Sequence, residues 1–260
     1  MTTIIATANQ KGGVGKTATT LNLAARLTTA GHRVLIIDAD PQANATNILD
    51  TRLTEETRTL NDVLAAVAQK AAADGAISAA ITPTSSAWPG IHVVPAERNL
   101  ANRETDSSPG REFLLRTAMT GAIEDHDIVL IDCPPALGTL TINALTAADQ
   151  VLIVTEPRAA AVDGVGELTR TIAAVKKYYN PALSIAGILI NKWRSDRLDR
   201  AAWRDVLTDT YGELVIDHPL PEREVVATAA TNRVPVPRHE AGDYVNTVDA
   251  VAREILKDNR

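Results

Sequence analysis

The chain has 260 residues, 45% of them hydrophobic and 22% charged, with a formal net charge of −6. This composition excludes disordered and fibrous classes, and the length can bury one large core or two modest ones. The acidic sum excludes a globally basic nucleic-acid binder but permits a local basic patch, and the single cysteine, Cys133, excludes an internal disulfide and fits a reducing compartment.

In chain order, apolar β-branched runs predict strands at 4–8, 34–37, 92–94, 128–131, 151–155, 185–190 and 214–216. Amphipathic stretches at 16–30, 59–70, 110–124, 139–148, 164–178, 198–211 and 243–257 predict helices between and after them. Alternation of this kind builds a doubly wound α/β fold, a mostly parallel sheet with helices on both faces. The strands read as continuous apolar runs, as they should when both faces are covered. Segments 50–58 and 98–110 are polar; the second reads as a surface loop ending in a proline start for a helix at Arg111. No linker marks a boundary, so residues 1–260 are expected to form one domain. No apolar run approaches the roughly 18 residues of a membrane span. The opening MTTIIATANQ lacks the features of an export signal, so a cytosolic location is expected.

The strongest chemical signal lies between the first strand and first helix: Gln10-Lys11-Gly12-Gly13-Val14-Gly15-Lys16-Thr17, then Ala18. Glycines allow a tight turn with N–H groups pointing inward, and the helix N-terminus adds its positive end. Lys16 supplies a point charge, and the Thr17 hydroxyl can ligate Mg²⁺. Gln10 stands where the ordinary phosphate-loop pattern has glycine, and Lys11 is a second lysine ahead of the glycine pair. Asp132 ends the run Asp127-Ile128-Val129-Leu130-Ile131-Asp132 at the carboxyl edge of a buried strand, where open α/β sheets bind ligands. It can hold Mg²⁺ through water, or cap the next helix. The turn Cys133-Pro134-Pro135-Ala136-Leu137-Gly138 after it suits a γ-phosphate sensor. Asp38 and Asp40 end the second strand: one can orient water and the other support the metal or Lys16, or both can cap the following segment.

The phosphate loop, the motif Asp38-Ala39-Asp40-Pro41-Gln42 with Asn44 and Thr46, and Asp132-Cys133-Pro134-Pro135 followed by Leu137-Gly138 and Thr141-Ile142-Asn143-Ala144-Leu145 resemble the ParA partition ATPases. These are a branch of the deviant Walker A P-loop group that includes MinD, and the resemblance runs nearly end to end. It implies ATP and Mg²⁺ as cofactors, with Gly12, Gly13, Val14, Gly15, Lys16, Thr17 and Ala18 around the phosphates. It makes Lys11 the signature lysine that reaches the other subunit's phosphates in an ATP-dependent sandwich homodimer, an in-trans cation at the developing charge. Lys16 and Thr17 become the cis phosphate and metal ligands, Asp40 the residue positioning water at the metal side, and Asp132 the metal-side carboxylate. Asn191 falls where the family contacts adenine, and Pro221 resembles the proline of the loop over the base. The family segment usually reads Pro-Arg, whereas Pro221 here precedes Glu222-Arg223-Glu224.

The resemblance further implies slow hydrolysis stimulated by a ParB-like centromere-binding partner, non-specific binding to nucleoid DNA, and a cytoplasmic, nucleoid-associated protein. Phosphate contact needs cations on one face. With a helix from about Arg197, Arg197, Arg200 and Arg204 share a stripe, and Arg194 lies beside it. Arg223 and Arg233 are lesser candidates, and a solvated face with Asp196 paired to Arg200 is the bland alternative. The C-terminal segment, with few bulky apolar residues and both charge signs, is expected to dock on the core and not insert in a membrane. A lone cysteine cannot supply the cluster ligands of iron-protein relatives. No N-terminal helix-turn-helix extension is expected. The alternatives are a positioning ATPase for a protein cargo and an ATP-dependent small-molecule enzyme of the same fold, as dethiobiotin synthetases are.

Overall fold

The computed structural model describes residues 2–70 and 73–257. Its strands are β1 (Thr3–Ala8), β2 (Val34–Asp38), β3 (Thr82–Pro83), β4 (Ile91–Val94), β5 (Ile128–Asp132), β6 (Gln150–Thr155) and β7 (Ser184–Ile190). Its α-helices are α1 (Lys16–Thr29), α2 (Asn44–Ile48), α3 (Leu60–Ala68), α4 (Leu114–Met119), α5 (Thr139–Ala147), α6 (Ala159–Tyr178), α7 (Leu198–Tyr211), α8 (Glu224–Thr231) and α9 (Gly242–Ile255). The strands form one sheet in the order β3-β4-β2-β5-β1-β6-β7, parallel except for β3.

Period-2 alternation within each strand divides the core into two layers. Ala6, Leu35, Ile37, Val129 and Ile131 face α3, α4, α5 and α6, while Ile5, Val34, Ile36, Ile128 and Leu130 face α1 and α9. That is the doubly wound arrangement read from the sequence. Helix α1 closes where Gly31 adopts a left-handed φ of +97°, with the His32 N–H donating to the Leu27 carbonyl as in a Schellman end. Helix α9 docks through Tyr244, Val245, Val248, Val251 and Ile255, as expected for the C-terminal segment, whose residues 258–260 lie outside those described. Among the described residues no helix is long and apolar enough to cross a membrane.

Several elements depart from the sequence reading. Residues 214–216 form no strand: a 3₁₀ turn, Gly212–Leu214, is followed by one isolated bridge of Val215 to Ile188. The helix expected over 110–124 is a 3₁₀ turn, Arg111–Phe113, and then the short α4. The polar stretch 98–110 is no open loop, because Arg98–Thr105 is 3₁₀ helix anchored by the fully buried Leu100. Helix α6 starts before residue 164, since Gly164 and Gly166, weak helix formers, sit inside it and hide its first turn from the sequence pattern. Helices α2 and α8 and the antiparallel β3 are too short for periodicity to register.

Candidate functional site

The parallel strands place β1, β2, β5 and β6 side by side, so the loops after them share one edge of the sheet. The β1–α1 loop is fixed first by Asn9, whose Nδ2 donates to the Val154 carbonyl at 2.6 Å and whose Oδ1 accepts the Lys11 N–H at 2.9 Å. Gly13 and Gly15 take φ values of +77° and +93°, the left-handed region that glycine enters without strain. Val14 between them is buried in the core and pins the loop. Lys16 opens α1 and is buried, with Nζ donating to the Lys11 carbonyl at 3.3 Å. Burial pulls its pKa below the ordinary lysine value, against the opposing pull of the carboxyl groups of Asp132 and Asp40. Lys11 is exposed beside the loop, and its ammonium makes no hydrogen bond or ion pair with any described residue.

Asp38 and Asp132 are register partners at the ends of β2 and β5. The Thr17 hydroxyl donates to Asp132 Oδ2 at 2.7 Å, and Thr20 reaches Oδ1 at 3.4 Å. Burial, then the neighbouring Asp38, pushes the Asp132 carboxyl above the usual range. The structure separates Asp38 from Asp40. Asp38 is fully buried and accepts the Thr46 N–H at 2.8 Å, the Thr46 hydroxyl at 2.7 Å and the Asp40 N–H at 3.2 Å, so it caps the segment that follows. Asp40 lies beyond it, near Lys16, with one oxygen accepting the Gln42 N–H at 2.9 Å.

The 133–138 turn leads into α5, whose N-cap, Gly138, has no side chain to offer. Glu104 fills that role, accepting the Thr139 N–H at 2.6 Å and the Leu140 N–H at 3.4 Å. Sequence reasoning misses this residue; the only signal is a helix start without a capping side chain.

On the other side of the loop, a cavity of about 1060 Å³ opens between Gly15, Ala18, Asn191, Trp193, Pro221 and Tyr244. Pro221 bridges to Trp193, whose N–H donates to the Leu220 carbonyl at 2.9 Å. Asn191 is on the wall, but its amide is engaged by protein: Nδ2 donates to the Val14 carbonyl and Oδ1 accepts the Lys192 N–H, both at 2.8 Å. Arg194 with Asp196, at 2.9 Å, and Arg223 with Asp243 edge the opening. Trp193, absent from the sequence-derived site, reads in the sequence only as part of a basic stretch.

The shared arginine stripe does not form. Helix α7 begins after Arg197, and Arg200 falls on the same face as the buried Leu207, seven residues on, so it is turned inward with 7% exposure. Its Nη1 has no hydrogen-bond partner among the described residues. Asp196 pairs with Arg194 and not with Arg200. Arg204 stacks over the Trp193 ring at 5.4 Å, and Arg233 pairs with Asp50. Arg197 remains exposed. Among the described residues no group of three or more His, Cys, Asp or Glu side chains could cage a metal.

Residues 2–185 match the family model described as an AAA domain. The chain is 37% identical over 238 residues to the chromosome partitioning protein ParA of Caulobacter vibrioides, covering 90% of this chain and 85% of that one. It is 40% identical over 189 residues to the sporulation initiation inhibitor protein Soj of Bacillus subtilis, covering 72% and 71% respectively. Among solved structures, one titled cobyrinic acid a,c-diamide synthase from Mycobacterium smegmatis, with bound ADP and magnesium, is 34% identical with a TM-score of 0.81, covering 100% of this chain and 97% of that one.

Proposed function

The chain belongs to the ParA group of the AAA domain family, and from that premise we propose that it is an ATP-dependent partition motor. The observation that carries this reading is the pair of lysines at one loop: Lys16 buried in the cradle, Lys11 exposed and unpaired beside it. A buried lysine serves phosphates in cis, and an exposed one is available to a second subunit's nucleotide.

The donor set fits ATP and Mg²⁺. Thr17 and Asp132 meet at 2.7 Å, an oxygen pair of the kind Mg²⁺ takes directly or through water while keeping its other positions for phosphate. Held by Thr17 and Asp132, Mg²⁺ would supply charge neutralisation at the phosphates. The N–H groups of Gly12 to Ala18 and the ammonium of Lys16 hold the phosphates, and Asp40 orients the attacking water. Gly15, Ala18, Asn191 and Pro221 enclose the base side, with Val14 pinning the loop from the core. In this reading ATP drives a homodimer in which Lys11 acts across the interface. The dimer binds nucleoid DNA without sequence preference through Arg194 and Arg197, and a ParB-like partner stimulates hydrolysis and release in the cytoplasm.

Lys11→Ala should retain nucleotide binding and lose partner-stimulated hydrolysis, whereas Lys16→Ala should lose binding. Full stimulation in Lys11→Ala would remove the in-trans role. The match to a protein titled as a synthase favours one competing reading, an ATP-dependent small-molecule enzyme of the same fold. Hydrolysis that depends on a metabolite and ignores DNA and partner would establish that reading instead.

A further inference from the structure

The phosphate loop turns its N–H groups inward, so its carbonyls point outward and need donors of their own. Two successive residues after β7 supply them. Asn191 Nδ2 reaches the Val14 carbonyl at 2.8 Å, and Lys192 Nζ reaches the Gly13 carbonyl at 2.6 Å. Lys192 sits at φ +53°, a left-handed conformation uncommon for a residue with a side chain. Its ammonium also pairs with Glu156 at 2.8 Å, just beyond β6, and Glu156 is in turn held by Arg158 at 2.9 Å. Glu156 is buried, so the partly exposed Lys192 ammonium is neutralised by a fixed carboxylate at the rim of the loop. Lys192 also lines the 1060 Å³ cavity.

We propose that Lys192 is a positioning residue for the nucleotide phosphates, holding the Gly13 peptide with its N–H face toward the cradle while Glu156 fixes the ammonium from behind. This rests on the nucleotide-binding reading above. The Lys192 ammonium touches carbonyl and carboxylate and no phosphate, so its effect passes through the loop backbone. A strained φ held by three polar contacts at a binding loop is the kind of local cost that persists where it sets the geometry of a site.

The test compares ADP with AMP, both with Mg²⁺, by competition against a fluorescent nucleotide on the full chain. Lys192→Met keeps the aliphatic stem and removes the donors. It should weaken ADP about tenfold, the lower end of what one charge-assisted hydrogen bond contributes, and AMP less than twofold. The ADP-to-AMP preference should therefore fall by roughly the same factor, and Lys192→Arg, which keeps donors, should restore part of it. Equal weakening of ADP and AMP would make Lys192 a base contact and overturn the proposal. A lower melting temperature of the nucleotide-free protein with unchanged affinities would make it a packing residue and overturn it as well. If the unaltered protein binds neither ADP nor AMP, the nucleotide reading itself fails and takes this inference with it.

Discussion

Replacing Gly15 with alanine isolates the join between the phosphate loop and the base side of the site. Gly15 has φ +93°, and an added Cβ would lie 2.1 Å from Asn191 Nδ2, far inside contact distance. The left-handed conformation costs alanine roughly 1–2 kcal/mol. The Asn191 amide must then move, losing its bonds to the Val14 carbonyl and the Lys192 N–H, each contributing about 1 kcal/mol. The sum is about 3–4 kcal/mol, which a domain with roughly 5–15 kcal/mol of stability survives in folded form. Urea unfolding monitored by circular dichroism measures it. Asn191→Ala alone should cost about 2 kcal/mol through the same two bonds, and the double variant should cost little more than Gly15→Ala alone, because the clash and the bonds are the same event. A Gly15→Ala loss below about 1 kcal/mol, or strictly additive costs, would refute the account of how loop and strand end are coupled.

The basic surface gives two opposed expectations. Arg194→Glu with Arg197→Glu should weaken binding to random-sequence duplex and lower the salt slope by about 0.9 for each phosphate that is no longer neutralised, and Arg197→Glu alone, away from the cavity, should leave ATP binding intact; unchanged affinity at matched salt would remove both residues from the interface. Arg200→Met should leave DNA affinity unchanged and the melting temperature equal or higher, since a side chain turned inward with a buried, unpartnered Nη1 is replaced by a matching apolar stem; a clear loss of DNA affinity would restore Arg200 to the interface. His126 bears on pH. Burial, then the nearby His92 and more weakly Arg33, lowers its pKa in the folded protein, against Asp125 and a backbone hydrogen bond at Ile123. The unfolded chain therefore takes up the proton first, and stability present at pH 7 should decline as pH falls through about 6.5, the ordinary histidine value. His126→Phe should flatten that part of the stability profile, and an unaltered profile would contradict the assignment.

How much is legible in the sequence follows from the length scale of each signal. Long apolar runs and the glycine-lysine loop declare themselves locally, so strands β1, β2, β4, β5, β6 and β7 and the tight loop between β1 and α1 are readable. The choice between Asp38 and Asp40 is not. It depends on Thr46, eight residues after Asp38, folding back to occupy the Asp38 carboxylate. Glu104 and Lys192 escape for the same reason, because each completes a loop that is distant in sequence and close in space. The arginine stripe fails differently. Spacing fixes which arginines could share a stripe, but only the packing beside Leu207 shows that Arg200 turns inward.

The most direct test of the partition reading is sedimentation of the purified protein with ADP and with a non-hydrolysable ATP analogue, each with and without random-sequence duplex DNA. The account predicts a monomer with ADP, a dimer with the ATP analogue, and co-sedimentation of that dimer alone with DNA. A protein that stays monomeric with the ATP analogue would contradict the in-trans role of Lys11, and a dimer that ignores DNA would contradict the DNA-partition role.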